Sequence, residues 1–187
     1  MQATSERTSA PSLQALLEEG ALAGEWVLDP HASSIRLKAW HLWSLAPVNG
    51  VFHEVEGSAT ISPQGEVRGT VTVAAASIDT NNARRDAHLR SNSFLDSDNY
   101  PSIIYVVEGT RPSPHGVTVM GTMTVRDRTR PLCFDAVASS RSDGEILLDA
   151  EISINRADFG LTWNVLGIPS TNITLTIHAA FTRRRNR

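Results

Sequence analysis

The chain has 187 residues, 41% apolar and 20% charged, with a formal net charge of -3. That is the length and composition of one soluble globular domain, and the slightly acidic balance excludes the broad basic field on which nucleic-acid binding depends. The single cysteine, Cys133, excludes an intramolecular disulfide and supplies at most one thiolate, against the two to four of a cysteine-based structural zinc site.

Residues 1–11 are rich in Ser, Thr, Ala and Pro. They lack the apolar core of a secretory signal, so the expected location is cytoplasmic. No run of about 18 apolar residues occurs anywhere, which argues against stable membrane insertion. Ser12 is suited to cap a helix, Leu13, Leu16 and Leu17 share one helical face, and Gly20 is a stop. Residues 1–23 therefore read as a tail followed by a short amphipathic helix that packs on the domain or closes one end of it. The domain itself spans 24–183, and 184–187 is a solvated basic tail.

From residue 24 onward the period is two. Ile35, Leu37 and Ala39 alternate with polar positions; so do Val67 to Ala75, Val117 to Val125, Leu132 to Ala138, Ile146 to Ile154 and Ile173 to Phe181. Segments near 50–62 and 102–108 add two more strands. Alternation of this kind marks half-buried antiparallel strands. Ile103 to Val107 is apolar on both faces, which predicts a covered exterior. Pro63-Gln64-Gly65, residues 112–116, residues 126–130 and Ser142-Asp143-Gly144 are turns. Eight long strands in a meander give an all-β, eight-stranded antiparallel barrel, with a helical or loop insert near residues 79–100.

An eight-stranded barrel is either filled by its side chains or holds one small ligand. The inward positions are Val, Ile, Leu and Ala, and small residues (Ala39, Ala75, Gly121, Ala136, Ala138, Ala150, Ala179) leave volume if they face in. Such volume is dry and suits a hydrocarbon-like occupant. Larger neighbours filling the same space would instead give a packed structural or stress-response protein.

Chemistry-bearing residues concentrate in the insert. Asp79, Arg85, Asp86 and His88 lie there, and Arg156 and Asp158 form a second cluster after a strand. Both read as corner braces built on charge-assisted hydrogen bonds, or as a polar lip over a ligand head group. An enzyme acting on a small apolar substrate would use His88 as acid or base with Asp86 orienting it. No nucleophile elbow is present and no histidine pair has helical zinc spacing, so neither a catalytic set nor a metal site is assigned. A cluster of His31, His41 and His88 would need the fold to bring them together.

The ordered motifs resemble the YceI-like family. They are WVLDPHASSI at 26–35, GVF at 50–52, SIDT at 77–80, RDAHLRS at 85–91, Phe94, Tyr100-Pro101 and NRADFGL at 155–161. The resemblance covers roughly residues 24–182 and implies a lipocalin-like barrel with an extended apolar cavity that binds isoprenoid lipids, including isoprenoid quinones, with a homodimer as a common assembly. No cofactor is implied beyond a bound isoprenoid lipid. On this basis the tail is expected against Ile35, Leu37, Val71, Val73, Val119, Phe134, Leu148, Ile152, Leu175 and Ile177. The head is expected near residues 84–90 or Trp163, with Asp79, Arg85, Asp86, His88, Arg156 and Asp158 as rim or brace. The function implied is non-catalytic carriage of the lipid.

Overall fold

A computed structural model describes residues 13–39, 47–114, 116–141, 144–162 and 171–184. Helix α1 (Leu13–Glu18) precedes β1 (Gly24–Leu28), β2 (Ser34–Ala39), β3 (Val48–Phe52), β4 (Val55–Ile61), β5 (Val67–Ala74) and β6 (Ile78–Asp79). Helix α2 (Ala83–Arg90) follows, then β7 (Ser102–Ser113), β8 (Gly116–Val125), β9 (Arg128–Ser140), β10 (Glu145–Asn155) and β11 (Asn172–Arg183). Pairing runs β1-β4-β5-β7-β8-β9-β10-β11, and β1 pairs back onto β11, closing an eight-stranded antiparallel barrel.

Three strands on one side of the barrel are broken at the same level. β1 and β2 occupy successive stretches of one edge of β11: Leu28 pairs Phe181, and Ile35 pairs Ile177. Between them Asp29 Oδ1 accepts from the His31 amide at 2.9 Å, an Asx turn that interrupts the ladder. β3 and β4 break at residues 53–54, and β5 and β6 at a 3-10 turn, Ala75–Ser77. The second and third breaks are cross-linked by backbone bonds from His53 N–H to Ser77 O and from Ala74 N–H to Glu54 O.

Beyond this line β6 pairs only with β3, whereas β7 begins at Ser102, opposite Ala74. The seam between β5 and β7 therefore parts at this end. The insert carrying α2 occupies the gap, so the 79–100 segment is a piece of the barrel wall.

The predicted alternation holds along β8, where Val117, Val119 and Val125 are buried, and along β10, where Ala150, Ile152 and Ile154 are buried. The exterior of β7 differs from expectation: Val106 is 39% exposed. A strand apolar on both faces is tolerated there because scattered exposed valines are ordinary on a protein surface. Gly121 also differs, since its missing side chain leaves no void. A Cβ there would collide with the Val106 carbonyl and stand 2.9 Å from the Cζ and Oη of Tyr105. The tyrosine ring lies in the space the glycine vacates, and its hydroxyl donates to Leu132 O at 2.9 Å.

Candidate functional site: a two-chambered apolar cavity

The inward rows of β11 and β8 pass through the same sequence of environments. On β11, Ile173 lines an outer chamber next to α2, Leu175 lines both chambers, and Ile177, Ala179 and Phe181 line an inner chamber. On β8, Val125, Met123 and Val119 repeat that order. The outer chamber has a volume of about 130 Å³ and the inner about 140 Å³. Phe52, Ile103, Met123 and Leu175 belong to both and form the waist where they meet.

The residues expected to hold a tail fall in this order. Leu37 lines the outer chamber. Ile35, Val71, Val73, Val119, Phe134, Leu148, Ile152 and Ile177 line the inner one, and Leu175 stands at the waist. Trp163 lies outside the described residues. Tyr105 was not anticipated as a lining residue. Burial, then Cys133 and Glu108, raise its pKa well above the ordinary value, so it stays a neutral donor.

The polar residues divide by role. Asn82 caps α2, its side chain accepting from Arg85 N–H at 3.0 Å. Arg85, His88 and Leu89 then share one face at i, i+3 and i+4, and all three line the outer chamber. Arg85 is aimed by Thr80: its Nε donates to Thr80 Oγ1 at 2.7 Å and its Nη2 to Thr80 O at 2.8 Å. Asp86 points the other way. It is buried, 6% exposed, and accepts from the backbone N–H of Thr80 at 3.0 Å and from its hydroxyl.

Asp86 is therefore a brace and not a lip, and it cannot orient His88, because side chains two residues apart do not face each other on a helix. Asp79 is also a brace. It accepts from the Asn81 amide at 2.7 Å and meets His53 Nε2 at 3.3 Å. The Asn81 amide first, then the His53 side chain, hold its carboxyl below the usual range. Asp158 is exposed on the turn after β10 and lines neither chamber.

Arg156 from that same turn is 6% exposed and lines the outer chamber. Its Nη1 donates to Leu161 O at 2.6 Å and its guanidinium lies 6.0 Å from the Phe94 ring centroid. Burial lowers its pKa from the ordinary arginine value. The insert is locked to the barrel by Arg126, whose Nη1 donates to Phe94 O at 3.0 Å.

The polar side chains lining the outer chamber are thus Thr80, Arg85, His88 and Arg156, and no carboxylate lines either chamber among the described residues. Arg85 and His88 are half-buried, so the α2 end of the cavity meets solvent. Among the described residues no three His, Cys, Asp or Glu side chains gather as a metal site, and no helix is long and apolar enough to cross a membrane. His41, one of the three histidines considered for a cluster, is outside the described residues.

Comparison with known proteins bears on this geometry. The family model of the YceI-like domain matches residues 26–181. Protein YceI of Salmonella newport is 27% identical over 167 residues, 84% of this chain and 86% of the relative. BcnA of Burkholderia cenocepacia superposes with a TM-score of 0.74 at 16% identity, covering 82% of this chain and 98% of BcnA. A polyisoprenoid binding domain from Saccharophagus degradans, implicated in plant cell wall breakdown, gives 0.70 at 16% identity over 85% of this chain and 98% of that domain. At these identities the structural matches establish a shared barrel fold.

Proposed function

Because this chain belongs to the YceI-like domain family, we propose that it is a non-catalytic carrier of an isoprenoid lipid, with an isoprenoid quinone as the leading candidate. The observation that carries the reading is the polarity of the cavity along its length: an inner chamber lined mainly by apolar side chains, with Ser33, Tyr105 and His178 among them, and an outer chamber lined, among the described residues, by Arg85, His88 and Arg156 and by no carboxylate. The tail lies in the inner chamber and crosses the waist. The head lies in the outer chamber beside Arg85, His88 and Arg156, where its carbonyl or hydroxyl oxygens accept hydrogen bonds. Each tail carbon taken from water contributes about 0.8 kcal/mol, so no covalent step is needed for retention. The Saccharophagus domain, described as polyisoprenoid binding, supports the same class of ligand.

The enzyme reading retains one supporting feature, the placement of His88 against the outer chamber. It lacks the Asp86 orienter, which is turned away.

Arg85→Met tests the placement of the head. Hydrogen bonds to charged groups contribute about 1.5–3 kcal/mol, so a long-tailed quinone should bind about 10-fold or more weakly to the variant. An isoprenoid hydrocarbon with no head group should bind as before. Equal loss for both ligands, or no loss for the quinone, would refute the placement.

A further inference from the structure

We infer that Phe181, backed by the α1 cap, is a stop that sets the length of isoprenoid tail this barrel accepts. The inference rests on the carrier reading above. The inner chamber ends at Leu28 and Phe181. Beyond it, Trp26 of β1, Ile61 of β4 and Ile146 of β10 belong to a separate apolar cluster with Leu17 and Leu22. Phe181 is common to the cavity lining and to that cluster. The cavity therefore ends against packed side chains.

The cap is seated firmly. Trp26 is 2% exposed, and its indole N–H donates to Leu22 O at 2.9 Å. Gly65 in the β4–β5 turn has φ of +81°, and a Cβ there would stand 2.9 Å from Leu17 O. The hairpin and α1 are thus in backbone contact, an approach that only glycine allows. Helix α1 lies before the residues matched by the family model, 26–181.

A closed end turns depth into a ruler. Ile173 to Phe181 spans eight residue-to-residue rises of strand, about 26 Å at 3.3 Å each. With the usual strand tilt this is about 20 Å along the barrel axis. A tail that reaches Phe181 can grow only by folding back or by pushing its head out past α2, away from the donors. Tails that end at the stop are preferred over longer ones.

The test offers the full-length protein an equimolar mixture of benzoquinones with short, medium and long isoprenoid tails. Bound quinones are then extracted and quantified by mass spectrometry for wild type, Phe181→Leu and Ala179→Val. Phe181→Leu deepens the chamber and should enrich longer tails. Ala179→Val fills it near the stop and should enrich shorter ones. Each shift should be about 10-fold in the long-to-short ratio, the scale on which an apolar pocket discriminates one methylene. Opposite shifts from two conservative variants do not arise from a general loss of stability. Loaded variants that both keep the wild-type profile would overturn the stop alone. A wild-type protein that takes up neither these quinones nor polyprenols of the same tail lengths would overturn the carrier reading and the stop with it.

Discussion

Leu175→Phe probes whether the two chambers act as one site. Leu175 is 8% exposed and lines both chambers, standing with Phe52, Ile103 and Met123 at the waist. A benzyl side chain there narrows the passage while entering open volume, so its cost to stability should stay within the about 1–3 kcal/mol typical of an overpacked core. The effect on binding is larger. If the ring keeps a single five-carbon isoprene unit out of the inner chamber, the loss is about 4 kcal/mol at about 0.8 kcal/mol per carbon. That corresponds to about 10³-fold in Kd. Calorimetric titration of wild type and variant with a long-tailed quinone and with its tail-less head group, alongside thermal melts, separates the terms. A folded variant that binds the long-tailed quinone with wild-type affinity would refute a tail passing the waist, as would an equal loss for the tail-less head.

Other perturbations test the supports of the site. Asp86→Ala leaves the N–H of Thr80, a residue 4% exposed, without its acceptor. Urea denaturation should show a loss of about 1–3 kcal/mol, and a change below about 0.5 kcal/mol would remove Asp86 as a brace. Tyr105→Phe deletes the bond to Leu132 O but keeps the ring over Gly121. It should cost about 0.5–1.5 kcal/mol and leave quinone uptake intact; loss of uptake would show that the hydroxyl contacts ligand. The Asp79 carboxyl should titrate below 3.8 in the folded protein by NMR. A depressed folded value means its stabilisation is present above the unfolded pKa and disappears as pH falls through the folded one. His53→Ala should move the titration upward, and an unchanged midpoint would show that the histidine does not hold it.

Much of the barrel is legible in the residues because the pleat imposes a period of two wherever one face is buried. β8 and β10 show this most plainly, and their inward rows include several of the residues that line the cavity. The breaks at residues 29–33 and 53–54 are less visible. An Asx turn at Asp29 carries no hydrophobic signal, and β1 and β2 share one edge of β11 only through long-range pairing. Gly121 looks like empty volume in the sequence because its occupant, Tyr105, arrives from the neighbouring strand.

Within the insert, the i, i+3, i+4 spacing of Arg85, His88 and Leu89 would have identified the chamber-facing row once residues 83–90 were taken as a helix. That reading also separates Asp86, which faces Thr80, from the lining residues. The waist could not be found from patterning, since Phe52, Ile103, Met123 and Leu175 come from four strands and meet only in three dimensions. Leu13, Leu16 and Leu17, which share one helical face, lie in one apolar cluster with Trp26.

The most direct test of the central claim is native mass spectrometry of the full-length protein, followed by organic extraction and lipid identification. A stoichiometric isoprenoid adduct, present on purification or acquired on incubation with a long-tailed quinone, is the predicted result. An unliganded mass that persists after incubation with quinones and polyprenols would contradict a carrier function for the cavity.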